Sequence, residues 1–296
     1  MVRMLGKTEW YCVIMFRGEI LMYKFVADSS CDFDAWEDVP VETVPLTIST
    51  DERDFVDTMD MDVHEMLDYL LEYKGRSYTA CPSTENWLKA FEGADELYVI
   101  AMTSHLSGTY NSACVARDIY LENNPDAKIC IVDTLSTGPE MRIIIEQMIE
   151  WKLAGKSFEE ISSKVKAYCD STRLFFAFKS LHNFAQNGRV NKVVAAMVEK
   201  LNITITGIAS PEGNIQPGQK IRGTKKVVAH LTTEITKAGF NGGKLRICYI
   251  ENEELAAMVA DSVKFVYPTT DVKIYPARGL CSYYGERGGI IIGCEC

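Results

Sequence analysis

The sequence of 296 residues holds four histidines, and its ten cysteines form no CxxC pair and no metal-ligand spacing. Spacing therefore gives no metal centre, and scattered unpaired thiols fit a reducing compartment, the cytoplasm. There is no Gly-x-Gly-x-x-Gly, so a dinucleotide site has no support, and no Gly-x-Ser-x-Gly, so the nucleophile elbow of many hydrolases is missing. No apolar run reaches the ~20 residues that a membrane span needs. The run Trp10 to Phe16 is apolar but stops at Arg17-Gly18 without a small-residue cleavage site, so no signal peptide is assigned. Positive charge is scarce: 31 Lys and Arg against 41 Asp and Glu leave a formal charge of −10. That field argues against nucleic acid or an anionic membrane surface as a main partner, and against stable membrane insertion. Repeats, low-complexity tracts and long linkers are absent.

Apolar residues make up 47% of the chain, enough for a full core and for two domains. In the first half, apolar runs alternate with helical spacing. Tyr23 to Ala27 reads as a strand ending in Asp28-Ser29-Ser30, and Val44 to Ile48 as a second strand. Asp62 to Tyr73 reads as a helix, and Ser83 or Thr84 caps another that carries Trp87, Leu88 and Phe91. Leu97 to Ala101 and Lys128 to Val132 are strands, and about Glu140 to Leu153 is a helix rich in Ile and Met. Strands alternating with helices imply a parallel sheet covered on both faces, with ligands at the carboxyl ends of the strands. Three strand ends, Asp28-Ser29-Ser30, Thr103-Ser104 and Asp133-Thr134, are predicted to converge on one mouth. In the second half, Arg173 to Phe178 is a strand, followed by a helix through Phe184 and a turn at Asn187-Gly188-Arg189. A helix from Lys192 to Leu201 follows, then a hairpin of Ile203–Ala209 and Ile215–Ile221 around Ser210 to Asn214. Helices near 224–238 and 253–265 and strands at 245–250 and 272–275 complete a mixed sheet. The expected architecture is α/β: an extension over residues 1–21, a parallel-sheet domain over 22–170 and a mixed-sheet domain over 171–296.

The stretch that organises the chain is Thr103-Ser-His-Leu-Ser-Gly-Thr-Tyr-Asn-Ser-Ala113, where a buried strand gives way to a helix. Ser107 can cap that helix, Gly108 lets a ligand approach the backbone, and free N–H groups favour an anion there. A capped turn without ligand satisfies the same local spacing. His105 beside Ser104 and Ser107 raises a serine hydrolase as an alternative, although neighbours in sequence rarely face one another. Gly155-Lys156-Ser157 has the look of a P-loop ending, which would suggest a phosphotransferase. But position 150 is Glu150, and the segment follows a helix rather than a strand, so it reads as a helix end with Ser157 capping the next helix. His64, His182 and His230 fall on predicted helices. Cys294-Glu295-Cys296 could bind metal or oxidise, but nothing near it in sequence supplies further ligands. Ile143, Ile144, Ile145, Met148 and Ile149 read first as ordinary core and second as the wall of a tunnel.

Taken together, the ordered motifs resemble those of the DegV family of fatty-acid-binding proteins over about residues 22–293. Asp28-Ser29-Ser30-Cys31-Asp32 is similar to the family's opening Asp-Ser-x-x-Asp, and Val44-Pro45-Leu46-Thr47-Ile48 to its second strand. Thr79-Ala80-Cys81-Pro82-Ser83 is similar to its Thr-Ser-Gln-Pro-Ser, and Thr103 to Tyr110 to its Ser-Ser-x-Leu-Ser-Gly-Thr-Tyr. Leu181, Asn187-Gly188-Arg189-Val190 and Ile221-Arg222-Gly223-Thr224 resemble three later segments. The resemblance implies a two-domain fold that buries one long acyl chain between its halves. The acid's carboxylate would be held by Thr79 and Ser104, then by Thr103 and Ser107, with no cofactor and no catalysis by this chain. It also implies a kinase subunit as a partner in some members, with Arg189 and Arg222 tied to docking. One departure matters. The family's C-terminal Gly-x-His-x-Gly-Pro-Gly is replaced by Cys281-Ser282-Tyr283-Tyr284-Gly285-Glu286-Arg287-Gly288-Gly289, in which Tyr283 is the nearest match to the histidine. A phenol can donate a hydrogen bond to a carboxylate but cannot become cationic near neutral pH.

Overall fold

A computed structural model describes residues 12–16, 19–191 and 203–296, the first eight of these positions (12–16 and 19–21) through their backbone. The helix expected from Lys192 to Leu201 lies outside the described residues. The first sheet has the order β3 (Ala35–Trp36), β4 (Val39–Val44), β2 (Glu19–Asp28), β8 (Glu96–Ala101), β9 (Lys128–Asp133). From β4 to β9 all neighbours are parallel. β3 turns back on β4, and β1 (Cys12–Phe16) pairs antiparallel with the leading part of β2. The central strand thus starts at Glu19, earlier than its apolar core suggests, and β1 joins the sheet through it.

The helices cover both faces as the alternation requires. α2 (Thr84–Phe91) and α3 (Thr109–Asn123) lay Trp87, Phe91, Ala113 and Tyr120 on Val26, Leu97 and Val99. α4 (Gly138–Leu153) and α5 (Phe158–Cys169) cover the opposite face at Phe25, Tyr98 and Ile100.

The second sheet runs β12 (Ile215–Arg222), β11 (Ile203–Ala209), β10 (Thr172–Phe178), β15 (Ile290–Glu295), β13 (Lys244–Tyr249), β14 (Asp271–Pro276). Only β13 and β14 are parallel. Side chains of β10 divide by the two-residue period of a strand. Phe175 and Ala177 join the core under α7 (Thr224–Lys237) and α8 (Glu253–Val266), while Leu174, Phe176 and Phe178 face the other way.

α4 lies between the two sheets. It packs Ile144, Ile145 and Met148 against the first, and its first turn presses on β15, where a Cβ on Gly293 would come within 2.4 Å of Glu140 N. A doubly covered helix buries most of its circumference, and the residues of α4 from Gly138 to Met141 and from Ile143 to Glu146 are buried. Its isoleucines and methionines are therefore core. Glu146 on this helix pairs with the fully buried Arg246 of β13, Oε2 to a terminal guanidinium nitrogen at 2.7 Å.

Two local expectations are corrected. The run Val44 to Ile48 is not one strand: β4 ends at Val44, and β5 (Thr47–Ser49) opens a separate small sheet with β6 (Asp54–Val56) and β7 (Tyr78–Ala80). Pro45, which has no N–H to give a ladder, stands at the break. Between Arg278 and Gly289, no element is legible in the sequence, yet Gly279–Gly285 forms a helix, α9. Its first N–H groups are satisfied from far away: Asp57 accepts from Gly279 N at 2.9 Å and Leu280 N at 3.0 Å. The small sheet and α1 (Val63–Glu72) share a core with the second sheet, joining Ile48, Phe55 and Met66 to Phe176 and Ile291. Packing thus crosses the sequence boundary at residue 170.

Candidate functional site

The two halves enclose an apolar slot with about 610 Å³ of empty space, counting its open mouth. One wall is the free face of the second sheet: Leu174, Phe176 and Phe178 of β10 and Ile291 of β15. The opposite wall is Leu46, Met102 and Leu106 from the ends of first-sheet strands. α9 closes a side with Leu280, Cys281 and Tyr284, and α6 (His182–Gln186) adds Phe184. Among the described residues, the polar side chains that line the slot are Thr79, Ser107, Thr137, Arg189 and Tyr284. Leu106, Ser107 and Arg189 also line a second, polar cleft on the outside, with Ser104, His105, Gly108, Asn111, Gly188 and Asn214. The slot therefore opens where these three residues stand.

At that end, Thr79 Oγ1 and the Tyr284 hydroxyl are 2.8 Å apart. Burial raises the Tyr284 pKa above its ordinary value, while the Thr79 hydrogen bond and the nearby Arg189 charge oppose this. The phenol stays a neutral donor. Arg189 is exposed, donates from Nε to the Leu106 carbonyl at 3.1 Å, and bonds back to the Asn187 carbonyl. Its guanidinium straps the turn after α6 to the 103–108 loop.

The other anticipated residues divide. Ser107 lines the slot; its Oγ sits 2.7 Å from Thr109 Oγ1 and accepts from Thr109 N at 3.3 Å. It is not the helix cap, which is Gly108 without a side-chain bond. Ser104 is exposed in the outer cleft, and its N–H is held by Asp133 Oδ1 at 3.1 Å. Thr103 is buried and spends its hydroxyl on the Gly213 carbonyl at 3.0 Å, which ties the loop to the β11–β12 hairpin. Tyr283 does not reach the slot: its hydroxyl is buried between Ser77 Oγ at 2.8 Å and Asn187 Nδ2 at 2.9 Å. The slot takes Tyr284 instead. On a helix, residue 284 neighbours both 280 and 281, at i+4 and i+3, whereas 283 neighbours 280 alone, so the signal was present once the segment was known to be helical. Arg222 stands exposed at the end of β12, outside the slot wall.

The three strand ends do meet, but they mostly consume one another's polar groups. Asp28 accepts from Met102 N at 2.6 Å, and Thr134 Oγ1 donates to the Ala101 carbonyl at 2.9 Å. Asp28, Asp32 and Asp57 are buried behind α9 rather than in the slot. Burial pushes the Asp28 carboxyl up to about 6 and, helped by the charge of Asp57, that of Asp32 to about 7.

Among the described residues, no histidine ring is hydrogen-bonded to a serine hydroxyl, and His105 lies in the outer cleft. Gly155-Lys156-Ser157 joins α4 to α5, and Ser157 forms a capping box with Glu160.

Comparison with known proteins follows the same lines. The DegV family model, described as "Uncharacterised protein, DegV family", matches residues 22–292. A DegV domain-containing protein of Streptococcus pneumoniae is 37% identical over 279 residues, covering 93% of this chain and 99% of its own. Among solved structures, a DegV family protein from Eubacterium eligens loaded with heptadecanoic acid superposes with a TM-score of 0.91 at 52% identity, covering 92% of this chain and 99% of that one. The Streptococcus pneumoniae Fatty Acid Kinase (Fak) B3 protein loaded with linoleic acid gives 0.90 at 37% identity, with the same coverage.

Proposed function

The chain belongs to the DegV family, and from that premise we propose that it binds one long-chain fatty acid in the slot and presents its head group at the mouth to a kinase subunit. The observation that carries this reading is an apolar slot between the halves that ends at paired hydroxyls, Thr79 and Tyr284. An acyl chain fits such a wall: each buried methylene is worth about 0.8 kcal/mol, so the tail dominates affinity. The head needs donors. Thr79 and Tyr284 supply two hydroxyls and Ser107 a third, and Arg189 at the rim adds a positive field without being buried. Hydroxyls hold a carboxylate without the cost of desolvating a cation. Ser104 and Thr103 shape the loop that carries Ser107 and Leu106. Arg189 and Arg222, both exposed, are the docking arginines of this reading, and the cytoplasm is where its cysteines stay reduced.

The protein does no covalent chemistry in this account. Tyr284 stands where a proton relay would need an ionisable base, and a neutral phenol suits binding alone. Denaturing mass spectrometry of protein purified from a bacterial host tests it. The expected result is a saturated or unsaturated acid of about 14–18 carbons at one per chain, the class of acid that the two solved relatives carry. Purified protein that carries no acid and takes none up from added palmitate would overturn the proposal.

A further inference from the structure

We infer that Cys294 and Cys296 form a redox-active thiol pair that closes reversibly to a disulfide when a peroxide oxidises it. Their sulfurs stand 3.5 Å apart. Residues two apart on a strand share a face, and the intervening Glu295 points the other way, its carboxylate bonded to the Tyr168 hydroxyl and to Lys244 N at 2.7 Å. Cys294 is fully buried in β15, between Arg173 of β10 and Leu245 of β13. Cys296 is only half-buried and lies past the strand, held by one backbone bond to the Ser171 carbonyl at 2.7 Å. One thiol is thus accessible and the other is shielded directly behind it, the arrangement of an attacking and a resolving cysteine.

The charges around the pair are mixed. The hydrogen bond from Cys294 lowers the Cys296 pKa, partial burial opposes it, Arg173 favours the thiolate and the Glu140 and Glu295 carboxylates disfavour it, with a net lowering. The Cys294 thiol is held well above its ordinary value by that same bond and by burial. In the reaction, the Cys296 thiolate attacks a peroxide oxygen. An S–O bond forms and the O–O bond breaks, and the departing hydroxide takes up a proton to leave as water. The Cys294 sulfur then attacks the Cys296 sulfenic sulfur. The S–S bond forms, the S–O bond breaks, and the proton of Cys294 leaves with that oxygen as a second water. Two sulfurs are oxidised and one peroxide is reduced. Two residues in an extended chain are ~6.6 Å apart between Cα atoms, near the upper limit for a disulfide, so the bridge is strained and easily reduced again. The other neighbouring thiols, Cys248 and Cys281, are both buried, and burial helps raise both thiols, so an oxidant meets them last.

The test uses the full chain treated with hydrogen peroxide, then N-ethylmaleimide, then intact-mass and peptide mapping. The expected result is the loss of two alkylatable thiols, both in the peptide holding Cys294 and Cys296, restored by dithiothreitol. In Cys294→Ser, the reaction stops at a sulfenic acid on Cys296 that dimedone labels; in Cys296→Ser, whose side chain is half-exposed, the two-thiol loss disappears. No thiol loss, a Cys248–Cys281 bridge formed first, or an over-oxidised Cys296 beside an unmodified Cys294 would each overturn the inference.

Discussion

Replacing Tyr284 by phenylalanine removes one oxygen from the slot and leaves the rest of the wall in place. The ring packs on Phe184 and Tyr283, with centroids 4.6 and 4.9 Å away, and a phenylalanine keeps those contacts. In the free protein, the lost hydroxyl faces Thr79 Oγ1, a neutral pair worth about 0.5–1.5 kcal/mol net, whereas a hydrogen bond to a carboxylate is worth about 1.5–3 kcal/mol. The difference, roughly 1–2 kcal/mol, is what bound acid loses, a five- to thirty-fold weaker Kd. Adding Thr79→Val removes the second donor, and the double variant should fall by about 30- to 1,000-fold. Displacement of a fluorescent C16 acid by unlabelled palmitate and by methyl palmitate separates head from tail. The ester has no charge to lose, so its affinity should hardly move while the preference for acid over ester collapses. Equal losses for acid and ester, or a larger loss in Ser104→Ala than in the double variant, would refute the assignment of the head-group site.

Leu174→Trp pushes a ring into the slot from β10; retained acids should become shorter or disappear in mass spectra while the circular dichroism spectrum stays native. Glu140 is buried, bonded to Ser136 and Thr172, and burial raises its carboxyl to about 7. Asp28 and Asp32 are raised as well. A group whose folded pKa lies above its unfolded value adds stability at low pH that is lost as pH rises through the folded value. Melting temperature should therefore fall between about pH 4 and pH 7, and Glu140→Gln should flatten part of that slope and be the more stable form at pH 8. Gly293→Val brings a Cβ within 2.4–2.6 Å of the backbone of Pro139 and Glu140; loss of soluble protein or a destabilisation of at least about 1–3 kcal/mol by denaturant melts is expected.

The fold was legible wherever periodicity carried it. β10, the helices with Ser83 and Ser157 caps, and the 203–222 hairpin stand where local spacing puts them, since their apolar patterns and caps are complete within the segment. α9 was not legible because its cap, Asp57, comes from a residue more than 220 positions away, and glycines stand at both of its ends. That one omission moved the aromatic at the mouth by a residue, from Tyr284 to Tyr283. Ser104 and Thr103 were drawn toward the site by their place after a strand. The structure turns the first out into the polar cleft and commits the second to a carbonyl, outcomes that depend on the Gly213 hairpin and Asp133 rather than on the motif itself. The slot wall is spread over β10, β15, α6, α9 and three loops, so no single stretch announces it.

α4 touches water on almost no side, and both layers of the molecule rest on it. Swinging the layers apart like a clamshell would strip that helix bare, at the expense of a whole interior. On the proposed function, cargo comes and goes instead through local give at the rim, where Arg189 straps one loop to another. Turnover of the guest is thereby uncoupled from the integrity of the host: the doorway can loosen while the frame stays shut.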